Sequence, residues 1–303
     1  MTMAQTTNRG VQFKLSRGRT REGLDYQVLA IELTRPDRLV SPEDLGAIEL
    51  PPGIDTRVGV AIDGRGPIWL YGYLIHELHP TAWVACNDPR IGAIVIATHT
   101  KGVRVGQILQ LGQVTDTLNP ALMVVGPPDS GKSVFSHRLF QSLIEVNSNI
   151  YLQRANWDGE GNYTLELPPD LDAEGFKATN KGELSDRFFP YHARAILELR
   201  RQKALTIVDV GGMVQPEKQP ILEACTHYLI ISSQRDAVDN WHEFCRDRGN
   251  LTPVAVIHSS LEEVEIVHQQ QPFIEMTCGP WIRGQSRPIP QGLMERIQSL
   301  FSI

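Results

Sequence analysis

None of the four cysteines forms a Cys-x-x-Cys pair; Cys86, Cys225, Cys245 and Cys278 are scattered through 303 residues. That spacing excludes a zinc ribbon and speaks against a disulfide framework, so reduced and mostly buried thiols are expected. No apolar run approaches the ~20 residues needed to span a bilayer, so no membrane contact is expected. The opening MTMAQTTNRG is polar and lacks the apolar core of a signal peptide, which makes a cytoplasmic location the expectation. Positive charge is not in excess: 29 Lys and Arg stand against 35 Asp and Glu, a formal net charge of −6. A protein that grips long nucleic acid through many phosphates has the opposite balance, so any nucleic-acid ligand should be small or met by a local patch. Repeats and low-complexity segments are lacking too. At 41% hydrophobic and 21% charged residues, the composition is globular, and a disordered or fibrous chain is excluded.

The length suits one large domain or two ordinary ones. LGQVTDTLNP at 111–120 breaks the apolar pattern with Gly, Thr, Asn and Pro, which sets the expected division at 1–112 and 120–303. The first part reads as a small α+β domain. VQFKLS (11–16), YQVLAIELT (26–34), RVGVAID (57–63), WVACND (83–88) and AIVIAT (93–98) have strand character, and Ser41 followed by Pro42 suits a helical start. PIWLYGYLIHELH (67–79) carries Trp69, Leu70, Tyr73, Leu74 and Leu78 at helical spacing.

The second part alternates strand and helix over longer segments. Strands are expected at 121–125, 149–155, 205–210, 227–233 and 253–259, and helices at 134–146, near or after Pro190, 216–225, 240–248 and at the C-terminal GLMERIQSLFSI. Such alternation implies a mainly parallel sheet with helices on both faces, an α/β fold overall.

Between the first of those strands and its helix stands GPPDSGKS, which fits G-x-x-x-x-G-K-[ST] in full and in the required context. Gly126, Asp129, Ser130 and Gly131 shape a loop whose amides face phosphate oxygens. Lys132 reaches the outer phosphates, and Ser133 can hold Mg²⁺, so ATP with Mg²⁺ is the expected ligand. LTIVDVGG ends the next buried strand with Asp209, a position suited to a Mg²⁺ contact. Val210 follows it, so no Glu stands beside Asp209 to activate water, and Gly211-Gly212 resembles a switch turn that senses a γ-phosphate. Asp158 and Glu160 in WDGEGN could orient a phosphoryl acceptor, or simply form a solvated turn. Arg187, Arg194, Arg200 and Arg201 read more simply as a charged helix face than as phosphate ligands.

HELHPTAWVACNDPRIGAIVIATH, 76–99, packs three histidines and an Asp-Pro-Arg turn into an otherwise apolar stretch. His76 and His79 share one helix face, and Pro80 leaves His79 at the helix tip. Asp88 and His99 end successive strands, so hairpin pairing separates them, and the four groups need not converge within one subunit. Histidine and carboxylate without thiolate would suit Mn²⁺, Fe or Zn²⁺. Any one of these histidines alone is more simply a hydrogen-bonded structural residue.

GRGPIWLYGYLIHELHPTAWVACNDPRIGAIVIATH, with the preceding DTRVGVAID, closely resembles the third family of CRISPR-associated ring nucleases, from type III CRISPR defence. The likeness covers about the first 112 residues, and in some members this domain is fused to a P-loop module described as AAA-like. The resemblance implies degradation of cyclic tetra-adenylate and shortening of RNA from its 3′ end, with Mn²⁺. His79 and Asp88 match the catalytic pair and would be the Mn²⁺ ligands. His76 and His99 match neighbouring polar positions, and Arg90 a ligand-contacting arginine; apart from the resemblance, Arg65 in the glycine turn suits a phosphate contact. The family grips its ligand between stacked dimers, which implies a homo-oligomer that stacks into tetramers or filaments. Three readings follow: a ring nuclease modulated by ATP, a P-loop kinase served by the first domain, or a sensor that binds the ring without cutting it.

Overall fold

Val60 and Ile62 alternate with Ala61 along one short strand, and a period of two sends them to opposite faces of a sheet. That strand is the middle of the first of two compact units, Met1–Val114 and Thr115–Ile303. The computed structural model describes residues 10–112, 117–156, 187–285 and 287–301. The first unit's sheet runs in chain order: β1 (Val11–Arg19), β2 (Asp25–Leu33), β3 (Gly59–Gly64), β4 (Trp83–Asp88), β5 (Gly92–Thr98) and β6 (Ile108–Leu109). β2, β3 and β4 are parallel to one another, and the outer pairings are antiparallel.

Helix α1 (Ile68–Leu78) makes the crossover from β3 to β4. Leu70, Leu74 and Leu78, four apart, form its buried stripe. They pack on Val60, Ile62, Leu29, Ile31 and Val84. Each leucine so buried contributes roughly 1.5–3 kcal/mol. Ala61, Trp83, Ala85, Ala93, Val95 and Leu109 make the core on the other face. Because α1 starts beyond the C-terminal end of β3 and returns, its last turn lies at the N-terminal end of β4. The turn expected at Ser41 is a 3-10 helix, Pro42–Ala47, with Ser41 as its cap; the Asp44 carboxylate accepts from the Ser41 amide at 2.8 Å.

The second unit holds seven strands: β7 (Ala121–Val125), β8 (Ile150–Ala155), β9 (Leu205–Val210), β10 (His227–Ser232), β11 (Thr252–Ser259), β12 (Val264–Gln269) and β13 (Ile274–Gly279). Their order is β12-β13-β11-β10-β7-β9-β8, parallel throughout except for β12. β7 is buried at every residue, as a central strand covered on both faces must be. Its Leu122 and Val124 join α2 (Lys132–Val146) and α6 (Gln291–Gln298) in one core. Ala121, Met123 and Val125 join α3 (Phe188–Gln202), α4 (Gln219–Ala224) and α5 (Asp236–His242) in the other.

Some boundaries differ from those expected. α3 starts at Phe188, two residues before Pro190, because a proline in the first turn has no intrahelical N–H to lose. The helix expected at 240–248 starts earlier, at Asp236, and passes into a π-helical turn at Glu243–Arg248. β6, β12 and β13 were not expected at all.

Candidate functional site

The first unit's chemistry sits at both ends of β4. At the N-terminal end, His79 caps α1, and buried Thr81 places its hydroxyl against the carbonyls of Leu78 at 2.8 Å and Trp83 at 3.1 Å, turning the chain from helix into strand. β5 pairs Thr98 with Trp83, which brings His99 back to the same place. The His79 and His99 rings meet edge to face with centroids 4.7 Å apart, and His99 Nε2 lies 3.1 Å from the His79 carbonyl oxygen. His76, one turn earlier in α1, is exposed, as are His79 at the end of that helix and His99 after β5.

At the other end, Asp88 holds Arg90 by a two-pronged ion pair, Nε to Oδ1 at 2.9 Å and Nη2 to Oδ2 at 2.6 Å. The Arg90 amide also donates to Asp88 Oδ1 at 2.9 Å. Burial pushes the Asp88 carboxyl up, but the Arg90 bonds outweigh it, and the net position is below the ordinary value. Beside it, Asn87 Nδ2 donates to Asp63 Oδ1 at 2.9 Å, and Tyr71 donates to the Gly64 carbonyl at 2.8 Å. Burial and then the negative charge of Asp63 raise the Tyr71 phenol, and burial raises the Cys86 thiol to about 11. The exposed Arg65 lies in the turn that leaves β3 at this same end. At ~3.4 Å per residue, the two ends of β4 are about 17 Å apart.

In the second unit, Gly126 follows the central strand with φ 145°, and a Cβ there would meet the Ile231 carbonyl oxygen at 1.8 Å. Gly131 at φ 85° starts α2, and its Cβ would meet the Trp281 Cβ at 2.6 Å. Only glycine fits either place. Between them, exposed Asp129 takes the left-handed conformation, φ 56°, which Asp tolerates better than most residues. The Pro127 carbonyl accepts from Ser130 Oγ at 2.8 Å and from Lys132 Nζ at 2.6 Å. Ser133 is half-buried in the first turn of α2.

β9 is hydrogen-bonded directly to β7, so Asp209 stands alongside the strand that feeds this loop. Asp209 is fully buried and 3.4 Å from Arg154 of β8. The turn after β9 lies on the loop itself: a Cβ on Gly212 would be 2.5 Å from the Pro128 nitrogen.

Residues 33–110 match the model of a family described as CRISPR-associated protein (Cas_csx3). An uncharacterized protein of Aquifex aeolicus is 38% identical over 90 residues, which span 28% of this chain and 78% of that protein. Through its first unit the chain belongs to the CRISPR-associated Cas_csx3 family. Among solved structures, a plasmid partition protein from Borrelia burgdorferi is 12% identical, with a TM-score of 0.39, over 60% of this chain and 96% of that one. The kinase domain of Escherichia coli tyrosine kinase ETK is 16% identical, with a TM-score of 0.36, over 47% and 68%. Chloroplast FtsY from Physcomitrella patens is 12% identical, with a TM-score of 0.32, over 49% and 52%. Likeness at that level says nothing of activity.

The Cas_csx3 unit thus brings His79 to His99 and Asp88 to Arg90, and keeps the two pairs apart. His79 and Asp88 of one chain therefore do not form the expected Mn²⁺ site, since β4 separates them. Among the described residues, no group of three His, Cys, Asp or Glu is arranged to hold a metal ion. In the second unit, Lys132 and Ser133 fit a magnesium–nucleotide, and the Asp209 carboxylate faces Arg154 at 3.4 Å. Arg200 is buried and donates to the carbonyls of Asn119 at 2.7 Å and Ala224 at 2.8 Å, so it is part of the scaffold. Asp158 and Glu160 lie outside the described residues. Sequence reasoning missed Arg154, Trp281 and Lys218; the last hides in Pro-Glu-Lys, a tripeptide that reads as a solvated helix start.

Proposed function

We propose that the Cas_csx3 unit cleaves phosphodiester bonds of cyclic tetra-adenylate, and of short RNA, at a site completed by two chains of a homo-oligomer. The second unit binds ATP with Mg²⁺ and tunes assembly or turnover. The observation that carries the first part is the separation of the histidine pair from the Asp88–Arg90 pair by the length of β4. Two pairs so far apart suit a ligand that meets one from each chain, in line with the stacked dimers implied by the resemblance.

The chemistry suits the parts. His79 and His99, whose rings meet, serve with His76 one turn away as the proton-transfer groups. Arg90, fixed in orientation by Asp88, and Arg65 present cations to the charge that builds on a phosphorane. A ring of four nucleotides has only four phosphates, so an acidic protein can hold it with few arginines. Bound Mn²⁺ would supply Lewis acidity, and its ligands would have to come from two chains.

Labelled cyclic tetra-adenylate, incubated with the protein with or without Mn²⁺ and ATP, tests this reading. Linear products are expected. A ring that stays bound and intact at high protein concentration would sink the nuclease reading and leave a sensor. A second reading, phosphoryl transfer from ATP to the cleaved ends, is favoured by buried Val210 at the position after Asp209, where no carboxylate can activate water. Label transferred from the γ-phosphate to the oligonucleotide would establish it.

A further inference from the structure

Lys218 is only 1% exposed, which is unusual for a lysine. It ends the 3-10 turn Pro216–Lys218, and its Nζ donates to the Gly211 carbonyl at 2.6 Å and to that of Met213. The ammonium also lies 5.8 Å from the centre of the Trp241 ring. Among the described residues, no carboxylate pairs with it. An enclosed ammonium held only by carbonyls and a ring is poorly compensated, and an apolar side chain would fill the same space more cheaply. A charge kept there asks for an anion near by.

The connections lead to the phosphate loop. Lys218 holds the carbonyls on either side of Gly212, and Gly212 packs on Pro127 and Pro128. The Pro127 carbonyl in turn holds Lys132. We propose that Lys218 is a positioning residue for the nucleotide site: its ammonium locks the Gly211–Met213 turn onto the phosphate loop, and a polyphosphate over Lys132 tightens that lock. This rests on the reading of the second unit as an ATP-binding module and goes further, because it couples the turn after Asp209 to the occupant of the loop.

The electrostatics give the proposal a readout. Burial first, and then the charge of Lys132, bring the Lys218 ammonium down to about 8, with Cys245 of the π-helical turn opposing slightly. Lys132 from α2 and Cys245 are the titratable groups that face it; the 211–213 turn and Trp241 bring none. The protonated form holds the two carbonyls by charge, which the neutral amine lacks, so the lock is full well below pH 8 and weakens as pH rises through that value. Phosphate charge favours the protonated form, and ATP affinity should follow it.

Calorimetric titration of the full chain with magnesium–ATP between pH 7.5 and 9 tests this. Wild-type affinity is expected to fall on the order of eightfold over that range, the fall in protonated fraction for a group near 8. Lys218→Arg, which stays charged, should bind with a flat profile, and Lys218→Met should bind weakly and equally at every pH. Circular dichroism checks that both variants fold, and the wild-type profile needs no variant. A flat wild-type profile overturns the proposal, as does a Lys218→Met profile that keeps the wild-type slope. Failure of the wild-type protein to bind ATP at any pH is a separate outcome, which removes the ATP-binding reading and the lock with it.

Discussion

The two candidate sites are built on opposite plans. The phosphate loop is one run of eight residues between one strand and one helix, with Ile231, Gly212 and Trp281 closing around it. The groups proposed for the nuclease are spread over both ends of β4, with the histidines at one end and the Asp88–Arg90 pair at the other. A phosphate needs many donors around a single point, which consecutive amides supply. Attack on a phosphodiester needs proton transfer and charge stabilisation on either side of a ligand, and a thin sheet cannot wrap that far. The first plan makes a site within one chain; the second, on the proposed reading, makes half of one. The contrast predicts that damage to the loop acts on each chain alone, while damage to the β4 ends is shared between chains.

The largest expected effect tests the self-contained site. Lys132→Ala should weaken ATP binding at least about a hundredfold, the loss of a charge-assisted contact to phosphate. Calorimetry reads it, and unchanged affinity in a folded variant would refute the phosphate-loop assignment. Mixing with wild-type chains should restore nothing to the altered subunits.

The divided site should behave otherwise. His79→Ala and Arg90→Ala should each cut ring cleavage by about a hundredfold or more. Mixed in equal amounts, they should recover about a quarter of wild-type activity, because random pairing makes half the dimers mixed and each mixed dimer keeps one intact site of two. Two inactive proteins that stay inactive in verified mixed assemblies would place the whole site in one subunit. Full activity in His79→Ala alone would reduce that histidine to a helix end.

The smallest effect concerns the Asp88–Arg90 pair as a part of the fold. Asp88 sits below its ordinary value because the Arg90 bonds outweigh its burial. Its contribution is therefore full above the usual carboxylate range and is lost as pH falls through its own, lower value. Asp88→Asn should cost about 1 kcal/mol or less at neutral pH, as half-exposed pairs do. Denaturant curves for the two proteins should converge in acid; a gap that persists there would show that the pair contributes by shape and not by charge.

The sequence disclosed what is local. GPPDSGKS announced its loop through its spacing between an apolar strand and an amphipathic helix, and α1 announced its buried stripe through Leu70, Leu74 and Leu78. β13 alternates Ile274, Met276 and Cys278 with Glu275 and Thr277, a strand signal that was there to be read. β12 carries no such signal, since it is an edge strand exposed along most of its length and its pattern follows no buried face. β6 is two residues long and shorter than any period. Lys218 was hidden for another reason: burial of a lysine depends on chain segments that meet only in the fold, and no spacing rule foretells it. The ring contact of His79 with His99 was likewise hidden, although the separation of Asp88 from His99 followed from hairpin pairing.

Trp281 adds one more consequence. Its side chain packs on Gly131 and, with centroids 5.1 Å apart, on Phe135 of α2, and its indole donates to the Cys278 carbonyl at 3.1 Å. The wall behind the phosphate loop is therefore laid by a segment made long after the loop has left the ribosome. Closing so distant a contact is slow relative to the local turns of β7 and α2. The loop residues are translated about 150 positions before Trp281, so a nascent chain backs its phosphate loop only after that tryptophan has emerged.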